Sequence, residues 1–419
     1  MKLPSLLFAL AITGLAAQAA DSKIACDAIN AFGLDLYRTQ AGTEGNLLLS
    51  PYSIESALAM TYAGAEGDTR TEMQRVLHFP GDDRAVHDSF KALALELAEY
   101  KARSMEWAKQ SKEIGGPSTP IELNVANRLF VGRGYPIRPA FLSLVKKSYA
   151  APLDEMDFAK SPELSRVAIN HWVEAETKNR IPDLVPHGFI TPRTRLVLVN
   201  ALYLRVPWES PFIEGATQKE RFLVSGRDRV EVPTMRDTSL LGYAKRHGCQ
   251  VLTRRYYGNE LQFVIVLPNS PTGLPAVEGA LTGKSLQEFA HLEPREVILH
   301  LPKFRIAPPT VQLSDSLKQL GMKSAFDEPK GCANFDRMAP RKPDDYLSLS
   351  DVWHKTYLAL DENGTEAAAA TAVSSINVGA GPAKKPKPLE IRVDRPFFFA
   401  IQHIQSGACL FLGRVTDPR

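Results

Sequence analysis

The most informative stretch of this sequence reads Asp361-Glu362-Asn363-Gly364-Thr365-Glu366-Ala367-Ala368-Ala369-Ala370-Thr371-Ala372-Val373-Ser374-Ser375-Ile376. A Gly/Pro/Lys segment, Asn377 to Pro388, follows it and leads into a strand-like run from Leu389 to Val393. A long exposed loop inside a compact domain is unusual and is often functional. We therefore expect residues 361–395 to carry the activity.

Within this stretch, small residues alternate with a period of two. One face carries Thr365, Ala367, Ala369, Thr371 and Val373, and the other carries Glu366, Ala368, Ala370, Ala372 and Ser374. A strand with this pattern can slide between two existing strands, because no bulky or charged group clashes on the packed face. Composition alone leaves open an alanine-rich helix or a flexible linker as the alternative.

The amino terminus has the pattern of a signal peptide. Lys2 supplies a positive charge, Leu3 to Ala17 is largely apolar, and Ala17-Gln18-Ala19 provides a small-x-small cleavage site. The apolar run is too short to favour a membrane anchor. We expect residues 1–19 to be removed and residues 20–419 to be secreted or periplasmic.

Composition excludes several classes of partner. Loss of Lys2 leaves 49 basic and 47 acidic residues, and this balance gives no reason to expect nucleic acid or a membrane as a partner. The four cysteines are widely spaced, without metal-site spacing, so their pairing stays open between buried thiols and disulfides: Cys26, Cys249, Cys332 and Cys409. No metal or cofactor is predicted.

The organisation along the chain favours one α+β domain. Helical periodicity covers Ser53 to Ala65, with Ser53 as the predicted cap, and also Arg84 to Ala102 and Val167 to Val185. The polar segment Trp107 to Thr119 is predicted to be a surface loop. Strand-like runs span Leu123 to Val131, Leu196 to Leu204, Leu261 to Leu267, Val297 to Phe304 and Leu347 to Leu360.

Two further features of the sequence limit the possible fold and function. The run Leu196 to Leu204 is apolar on both faces, which predicts a central strand covered on both sides. Motifs of common enzymes are absent: there is no His-Glu-x-x-His, no Gly-x-Ser-x-Gly, no phosphate-binding glycine loop and no Cys-x-x-Cys. Nine histidines and many serines do not by themselves exclude a catalytic triad, but none is recognisable.

The stretch from Glu362 to Ala370 resembles the hinge of the serpin family, which reads Glu-x-Gly-Thr-Glu-Ala-Ala-x-Ala. Further similarity runs through the mature chain: Asn46 to Ile54, Leu123 to Phe130, Ile169 to Leu184, Leu198 to Trp208, Val232-Pro233-Thr234-Met235, Val266-Leu267-Pro268, Leu301-Pro302-Lys303-Phe304, Asp394-Arg395-Pro396-Phe397 and Leu410 to Val415. The sequence is thereby identified as a bacterial, exported, inhibitory-type serpin. The resemblance implies three sheets, eight or nine helices and an exposed reactive loop at about 362–393.

The resemblance also implies a mechanism. A serine protease attacks the loop as a substrate and forms an acyl-enzyme, and the cut loop then inserts as a strand of the main sheet before the ester is hydrolysed. The chain would act as an inhibitor and not as an enzyme, as a monomer without cofactor, with the protease as covalent partner. Insertion would begin at the hinge residues Glu362, Gly364, Thr365, Glu366, Ala367, Ala368, Ala369 and Ala370.

The scissile bond follows from counting along the family pattern. With Glu362 as the first residue, the seventeenth is Val378, so the predicted cut lies between Val378 and Gly379. Valine suits an elastase-like or subtilisin-like protease with a small aliphatic pocket. The stretch from Gly379 to Arg395 is longer than the family usually has, so Asn377, Ile376, Lys384 and Lys385 stay open as alternatives.

Four polar residues match the family's shutter, a hydrogen-bonded cluster beneath the opening point of the main sheet: Ser50, Ser53, Asn200 and His354. Taken singly, each could be an ordinary cap or a satisfied buried polar residue. A non-inhibitory carrier or chaperone is the alternative function. Such proteins tend to have bulky, charged or proline residues in the hinge, and the segment from Ala367 to Ala372 has none.

Overall fold

The computed structural model of the protein describes residues 22–42, 44–113, 119–151, 153–225, 228–246, 248–366 and 387–419. Nine α-helices lie in these ranges: Lys23–Gln40 (α1), Pro51–Tyr62 (α2), Gly67–Val76 (α3), Asp83–Glu113 (α4), Pro139–Tyr149 (α5), Pro162–Glu176 (α6), Leu274–Ala280 (α7), Gly283–Glu288 (α8) and Ser314–Leu320 (α9). None of the described helices is long and apolar enough to cross a membrane.

Helix α2 begins earlier than predicted, because Ser50 and not Ser53 is its N-cap. The Ser50 side chain accepts a hydrogen bond from the backbone N–H of Ser53, and Pro51 occupies the first helical turn. Every residue of α2 is buried. The helix is therefore a core element, which frees the Ser53 hydroxyl for tertiary contacts.

Two other helix boundaries differ from the prediction. Helix α4 continues through Trp107 to Glu113, because the indole packs against Tyr100 and Tyr257 and anchors a segment that otherwise looks polar. Helix α6 ends at Glu176 and not at Val185, because the chain turns through positive φ angles at Lys178 and Asn179.

Seventeen strands lie in the described ranges: Leu47–Leu49 (β1), Glu122–Gly132 (β2), Leu153–Met156 (β3), Leu196–Pro207 (β4), Gln218–Ser225 (β5), Asp228–Arg246 (β6), Cys249–Arg255 (β7), Leu261–Pro268 (β8), Pro294–Pro302 (β9), Phe304–Ile306 (β10), Val311–Gln312 (β11), Leu349–Thr356 (β12), Leu358–Asp361 (β13), Gly364–Thr365 (β14), Leu389–Arg392 (β15), Phe397–His403 (β16) and Cys409–Val415 (β17). Each strand run predicted from the sequence is present, and two of them are interrupted, at Lys303 and at Tyr357.

The strands form three sheets, and the α+β prediction is confirmed. A nine-stranded sheet has the order β1-β17-β16-β8-β7-β6-β9-β15, with β5 paired to β6. The main sheet has the order β3-β2-β4-β12-β11, with β4 parallel to β12. A third, smaller sheet continues from the far end of β4 through β14 and β13 to β10.

Strand β4 is central and is covered on both faces, as its sequence predicts. Its alternate residues belong to two different hydrophobic clusters, Leu196, Leu198, Leu202 and Leu204 to the larger and Val197, Val199 and Ala201 to the smaller. The smaller cluster includes Ile169 and Val173 of α6. Helix α6 therefore lies over one face of the main sheet, while α2 packs on the other.

The main sheet is partly parted at one end. Over residues 196–202, β4 pairs directly with β12. At Val206 and Pro207, however, β4 pairs with β14, and β14 in turn pairs with β13, the continuation of β12. Residues Gly364 and Thr365 therefore run antiparallel between two strands that are direct neighbours lower in the sheet.

Candidate functional site

A tight turn directs the chain from β13 back into the sheet. The Asp361 carboxylate accepts hydrogen bonds from the backbone N–H groups of Asn363 (2.8 Å) and Gly364 (3.3 Å). Gly364 has φ of +148°, and a Cβ at this position would lie 2.2 Å from the carbonyl oxygen of Val206. Only glycine fits this close approach of the two backbones.

Thr365 is fully enclosed at the opening of the sheet. Its exposed fraction is 0%, and its hydroxyl lies 2.6 Å from the hydroxyl of Tyr256. The Tyr256 ring stacks on Trp208 with ring centroids 4.5 Å apart. Burial raises the pKa of Tyr256, so its phenol stays neutral and can share a hydrogen bond with Thr365. Sequence reasoning did not assign Tyr256 to the site.

Trp208 fastens the turn to the end of β4. Its backbone N–H donates to the carbonyl of Asn363, and its indole N–H donates to the carbonyl of Asp361, both at 2.9 Å. The backbone N–H of Phe212 donates to the carbonyl of Glu362 at 2.9 Å. The three bonds satisfy the backbone carbonyls of the turn at Asp361, Glu362 and Asn363.

The Glu362 side chain bonds to two neighbouring elements. Its carboxylate accepts from Lys303 Nζ and from the Thr217 hydroxyl, each at 2.6 Å. Burial of the Glu362 carboxyl opposes ionisation, but its hydrogen bonds together with the charge of Lys303 outweigh burial and hold the pKa below its usual value. The ionised Glu362 therefore ties the start of the hinge to the Lys303 break between β9 and β10.

Glu366 is the last described residue before the loop. It forms an ion pair with Arg180, in the turn after α6, and its backbone N–H donates to the carbonyl of Ala359 at 2.8 Å. Burial raises the pKa of the Glu366 carboxyl although Arg180 acts in the opposite direction. Glu366 also has a positive φ of 49°, so the alternation of the hinge is broken at this residue.

The structure brings the four predicted shutter residues into one hydrogen-bonded cluster. The backbone N–H of Ser50 donates to His354 Nε2 at 3.2 Å, and His354 Nδ1 lies 2.6 Å from Asn200 Oδ1. Asn200 Nδ2 donates to the Ser53 hydroxyl at 2.5 Å. The cluster joins α2, β4 and β12 at the place where β4 and β12 are neighbours.

A fifth member of this cluster, Asn127 of β2, was missed from the sequence. Its Oδ1 accepts from Asn200 Nδ2 (2.5 Å) and from the Ser53 hydroxyl (3.0 Å), and its Nδ2 donates to the Ser53 carbonyl at 3.0 Å. The residue lies opposite Asn200 in the β2–β4 pairing. Strand β2 also contains Asn124, which bonds elsewhere, so no local signal in the sequence distinguishes Asn127.

His354 is neutral in this cluster. Its exposed fraction is 0%, and burial lowers its pKa to about 3, with the hydrogen bond to Asn200 acting weakly in the other direction. Because Nε2 accepts from Ser50, the proton resides on Nδ1, which donates to Asn200. Protonation of Nε2 would place two donors, that nitrogen and the Ser50 N–H, face to face.

Several predicted site residues lie outside the described residues. These are Ala367, Ala368, Ala369 and Ala370 of the hinge, the predicted scissile pair Val378 and Gly379, and the alternatives Ile376, Asn377, Lys384 and Lys385. Their roles stay predictions. The four cysteines are free, three of them buried, and burial raises the pKa of Cys26 to about 12. Within the described ranges no cluster of three potential metal ligands is present.

Comparison with known proteins identifies the class. A family model described as Serpin (serine protease inhibitor) matches residues 27–418. An uncharacterized serpin-like protein of Thermococcus kodakarensis is 37% identical, covering 95% of this chain and 86% of that protein. A leukocyte elastase inhibitor of Sus scrofa is 35% identical, covering 92% of this chain and 97% of that protein. This chain belongs to the serpin family.

Solved structures agree with this assignment. Serpin48 of the insect Tenebrio molitor is 31% identical, with a TM-score of 0.77, and the match covers 94% of this chain and 98% of that one. Human thyroxine-binding globulin, solved with its bound ligand, is 28% identical, with a TM-score of 0.75, and the match covers 95% and 99%. The family therefore includes proteins named as protease inhibitors and one named for carrying a ligand.

Proposed function

We propose that this serpin inhibits a serine protease by covalent trapping with insertion of its loop into the main sheet. The observation that supports this proposal best is the position of β14. Its two residues already occupy the place of an extra strand between β4 and β13, in the antiparallel direction. The small residues that follow in the sequence can continue the same strand without a steric or electrostatic barrier.

In the proposed reaction, the protease serine oxygen attacks the carbonyl carbon of Val378. The bond between Val378 and Gly379 breaks, the new amine of Gly379 takes a proton from the protease, and Val378 remains as an ester of the protease serine. Insertion then carries the ester away from the intact protease site before water attacks. The serpin supplies the peptide bond that is cut and the free energy that drives insertion, and the protease supplies the catalytic groups that cut the bond.

For the target, we propose an elastase-like or subtilisin-like protease. Valine fits a small aliphatic specificity pocket, and several relatives are named leukocyte elastase inhibitors. We also propose export, on the basis of residues 1–19. An extracellular or periplasmic inhibitor would meet secreted proteases of this kind.

The experiment mixes the mature protein with neutrophil elastase and resolves the products on a denaturing gel. We expect a band of the summed mass that survives boiling, and a released peptide that begins at Gly379. Elastase whose catalytic serine is replaced by alanine is the control and should give no such band. Clean cleavage without a complex by elastase, subtilisin and trypsin alike would support the carrier function instead.

A pair of variants tests the register of the scissile bond. Val378→Arg should transfer trapping from elastase to trypsin, because trypsin cuts after a basic residue. Ile376→Arg is the matched control, two residues earlier, and should leave elastase trapping at Val378 largely intact. If instead Ile376→Arg transfers trapping to trypsin and Val378→Arg leaves elastase trapping intact, the protease cuts after Ile376 and not after Val378.

A further inference from the structure

Glu55 is a buried carboxyl group that the proposed mechanism does not use. It lies in the middle of α2, its exposed fraction is 0%, and neither carboxyl oxygen has a hydrogen-bond partner among the described residues. An ionised carboxylate in such a place would be an unpaired charge away from water, which is strongly unfavourable.

The cations around α2 do not compensate this group. Helices α1, α3 and α5 and strands β2, β4 and β17 pack against α2. The cations on these elements that form ion pairs are Lys23 with Asp27, Arg38 with Asp35, Arg70 with Asp83, Arg128 with Asp154, Arg205 with Glu122 and Arg414 with Glu278. Arg75, Lys146 and Lys147 are exposed. Each cation is thus engaged elsewhere or faces solvent.

The buried tyrosine and cysteine groups on the elements packed against α2 are held neutral. Burial and the field of Glu55 both raise the pKa of Tyr149, at the end of α5. The Tyr149 hydroxyl lies 2.6 Å from His87 Nδ1, and burial lowers the pKa of His87 to about 4. Tyr37 of α1 bonds to Glu278, and burial keeps the Cys409 thiol of β17 protonated. Burial also raises the pKa of Glu55 well above its usual value.

We propose that Glu55 is held as a neutral carboxylic acid in the fold, and that its tendency to ionise on reaching water favours the opening of α2 and weakens the uninserted fold as the pH rises. Helix α2 carries Ser53 and is capped by Ser50, and both residues bond to the cluster at β4 and β12. Movement of α2 toward water would therefore strain the contacts that hold these two strands together. This makes α2 a pH-sensitive element beneath the point where the sheet opens.

The direction of the pH effect follows from linkage. Below pH 4.5 the carboxyl is protonated in both the folded and the unfolded chain, and it has no effect. As the pH rises above 4.5, the unfolded chain ionises first, so the folded state loses stability until its own carboxyl ionises. Within this window, Glu55 raises the unfolding equilibrium constant by up to about tenfold per pH unit.

The test compares urea unfolding of the wild-type chain, Glu55→Gln and Glu55→Met between pH 4.5 and 8.5. The methionine variant fills a similar volume without polar atoms that need partners. At pH 4.5 we expect the wild type and Glu55→Met to unfold with the same dependence on urea. At higher pH the wild type should become progressively less stable than Glu55→Met, and at pH 7 its unfolding equilibrium constant should be at least tenfold higher. Glu113→Gln, at the exposed end of α4, is the matched control and should follow the wild type.

Hydrogen exchange supplies a local readout at fixed pH. At pH 8, peptides from α2 should exchange faster in the wild type than in Glu55→Met, and at pH 4.5 they should exchange alike. The ratio of the wild-type unfolding equilibrium constant to that of each variant should change with pH. If this ratio is constant across the pH range for both variants, the proposal is overturned. If neither variant folds, wild-type peptides from α2 whose exchange, corrected for the intrinsic rate, does not accelerate between pH 4.5 and pH 8 relative to peptides from α6 would overturn it. Neither measurement involves a protease, so the result is independent of the inhibitory function.

Discussion

At the scale of single residues, burial changes what ordinary side chains do. His354, Thr365 and Glu362 are all typical surface residue types, yet each is enclosed at or beneath the opening of the main sheet. His354 is held neutral, Thr365 shares its hydroxyl with Tyr256, and Glu362 is held ionised by Lys303. The chemical state of each residue is therefore set by its partners in space.

The neutral His354 predicts a loss of stability in acid. Its pKa of about 3 in the fold lies below the value of 6.5 in an unfolded chain, so its contribution is complete above pH 6.5 and is lost as the pH falls. At pH 5 we expect a loss of about 2 kcal/mol from this residue. Urea unfolding at pH 7 and pH 5 measures it.

The variant His354→Gln should be less stable at pH 7, because it loses a member of the cluster, but its stability should fall less between pH 7 and pH 5. His187→Gln is the matched control, since His187 is 85% exposed. A His354→Gln variant with the same pH dependence as the wild type would show that the imidazole is not held neutral.

Thr365→Arg should abolish trapping while leaving the loop open to cleavage. The guanidinium would need to enter a position with 0% exposure, which costs about 3–5 kcal/mol. On a denaturing gel, we expect cleaved serpin and free, active protease. Thr365→Val keeps the shape, loses only the bond to Tyr256 at a cost of about 1 kcal/mol, and should still trap.

At the scale of elements, the important feature is a strand of only two residues. Strand β14 is too short to be stable alone, and it exists because β4 and β13 supply backbone partners on both sides. Trp208 and Phe212 hold the preceding turn, and the Arg180 pair holds the residue after it. Neighbouring elements thus hold the predicted hinge between β4 and β13, where the proposed insertion would begin.

Gly364→Ala should expel β14 from the sheet. The added Cβ would lie 2.2 Å from Val206 O and 2.7 Å from Pro207 Cα, and the backbone angle is one that alanine rarely adopts. We expect the number of serpin molecules consumed per protease trapped to rise several-fold, measured by titration of residual protease activity. Gly215→Ala is the control, because nothing lies within 4 Å of its Cβ position. Equal titration curves for the two variants would contradict this role of Gly364.

At the scale of the whole molecule, the proposed insertion would add one strand to the main sheet. Strands β4 and β12 are parallel neighbours over residues 196–202 and would have to part for a longer β14. Each residue added between them would gain backbone hydrogen bonds on both sides and bury small side chains. The uninserted fold is therefore expected to be less stable than the inserted one.

Cutting the loop should raise the melting temperature. About ten new backbone hydrogen bonds at about 1 kcal/mol each add on the order of 10 kcal/mol, and for a chain of this size this corresponds to an increase on the order of 10–20 °C. Limited proteolysis within 367–386, followed by calorimetry of the nicked protein, measures the change. A nicked protein that melts at the original temperature would favour the non-inhibitory function. When the loop of the Thr365→Arg variant is cut, its melting temperature should not increase.

Much of the architecture could be predicted from the sequence, because it rests on local patterns. The two apolar faces of Leu196 to Leu204 require a covered central strand, and the hinge pattern from Glu362 to Ala370 identifies the family. The contacts among Ser50, Ser53, Asn200 and His354 were also anticipated from motif positions, while their role as a shutter stays a prediction. The predicted end of helix α4 was wrong because a tertiary contact at Trp107 overrides the local composition.

Only the tertiary structure decided which groups meet across the molecule. Asn127 joins the hydrogen-bonded cluster of Ser53, Asn200 and His354 through its register opposite Asn200, and Tyr256 meets Thr365 across 109 positions of sequence. The chain pattern around Glu55 likewise gives no sign that its carboxyl lacks a partner. Local periodicity predicts which face of an element is buried, but the choice of neighbour depends on long-range packing, and that choice determines where the hinge stands and which buried groups are paired.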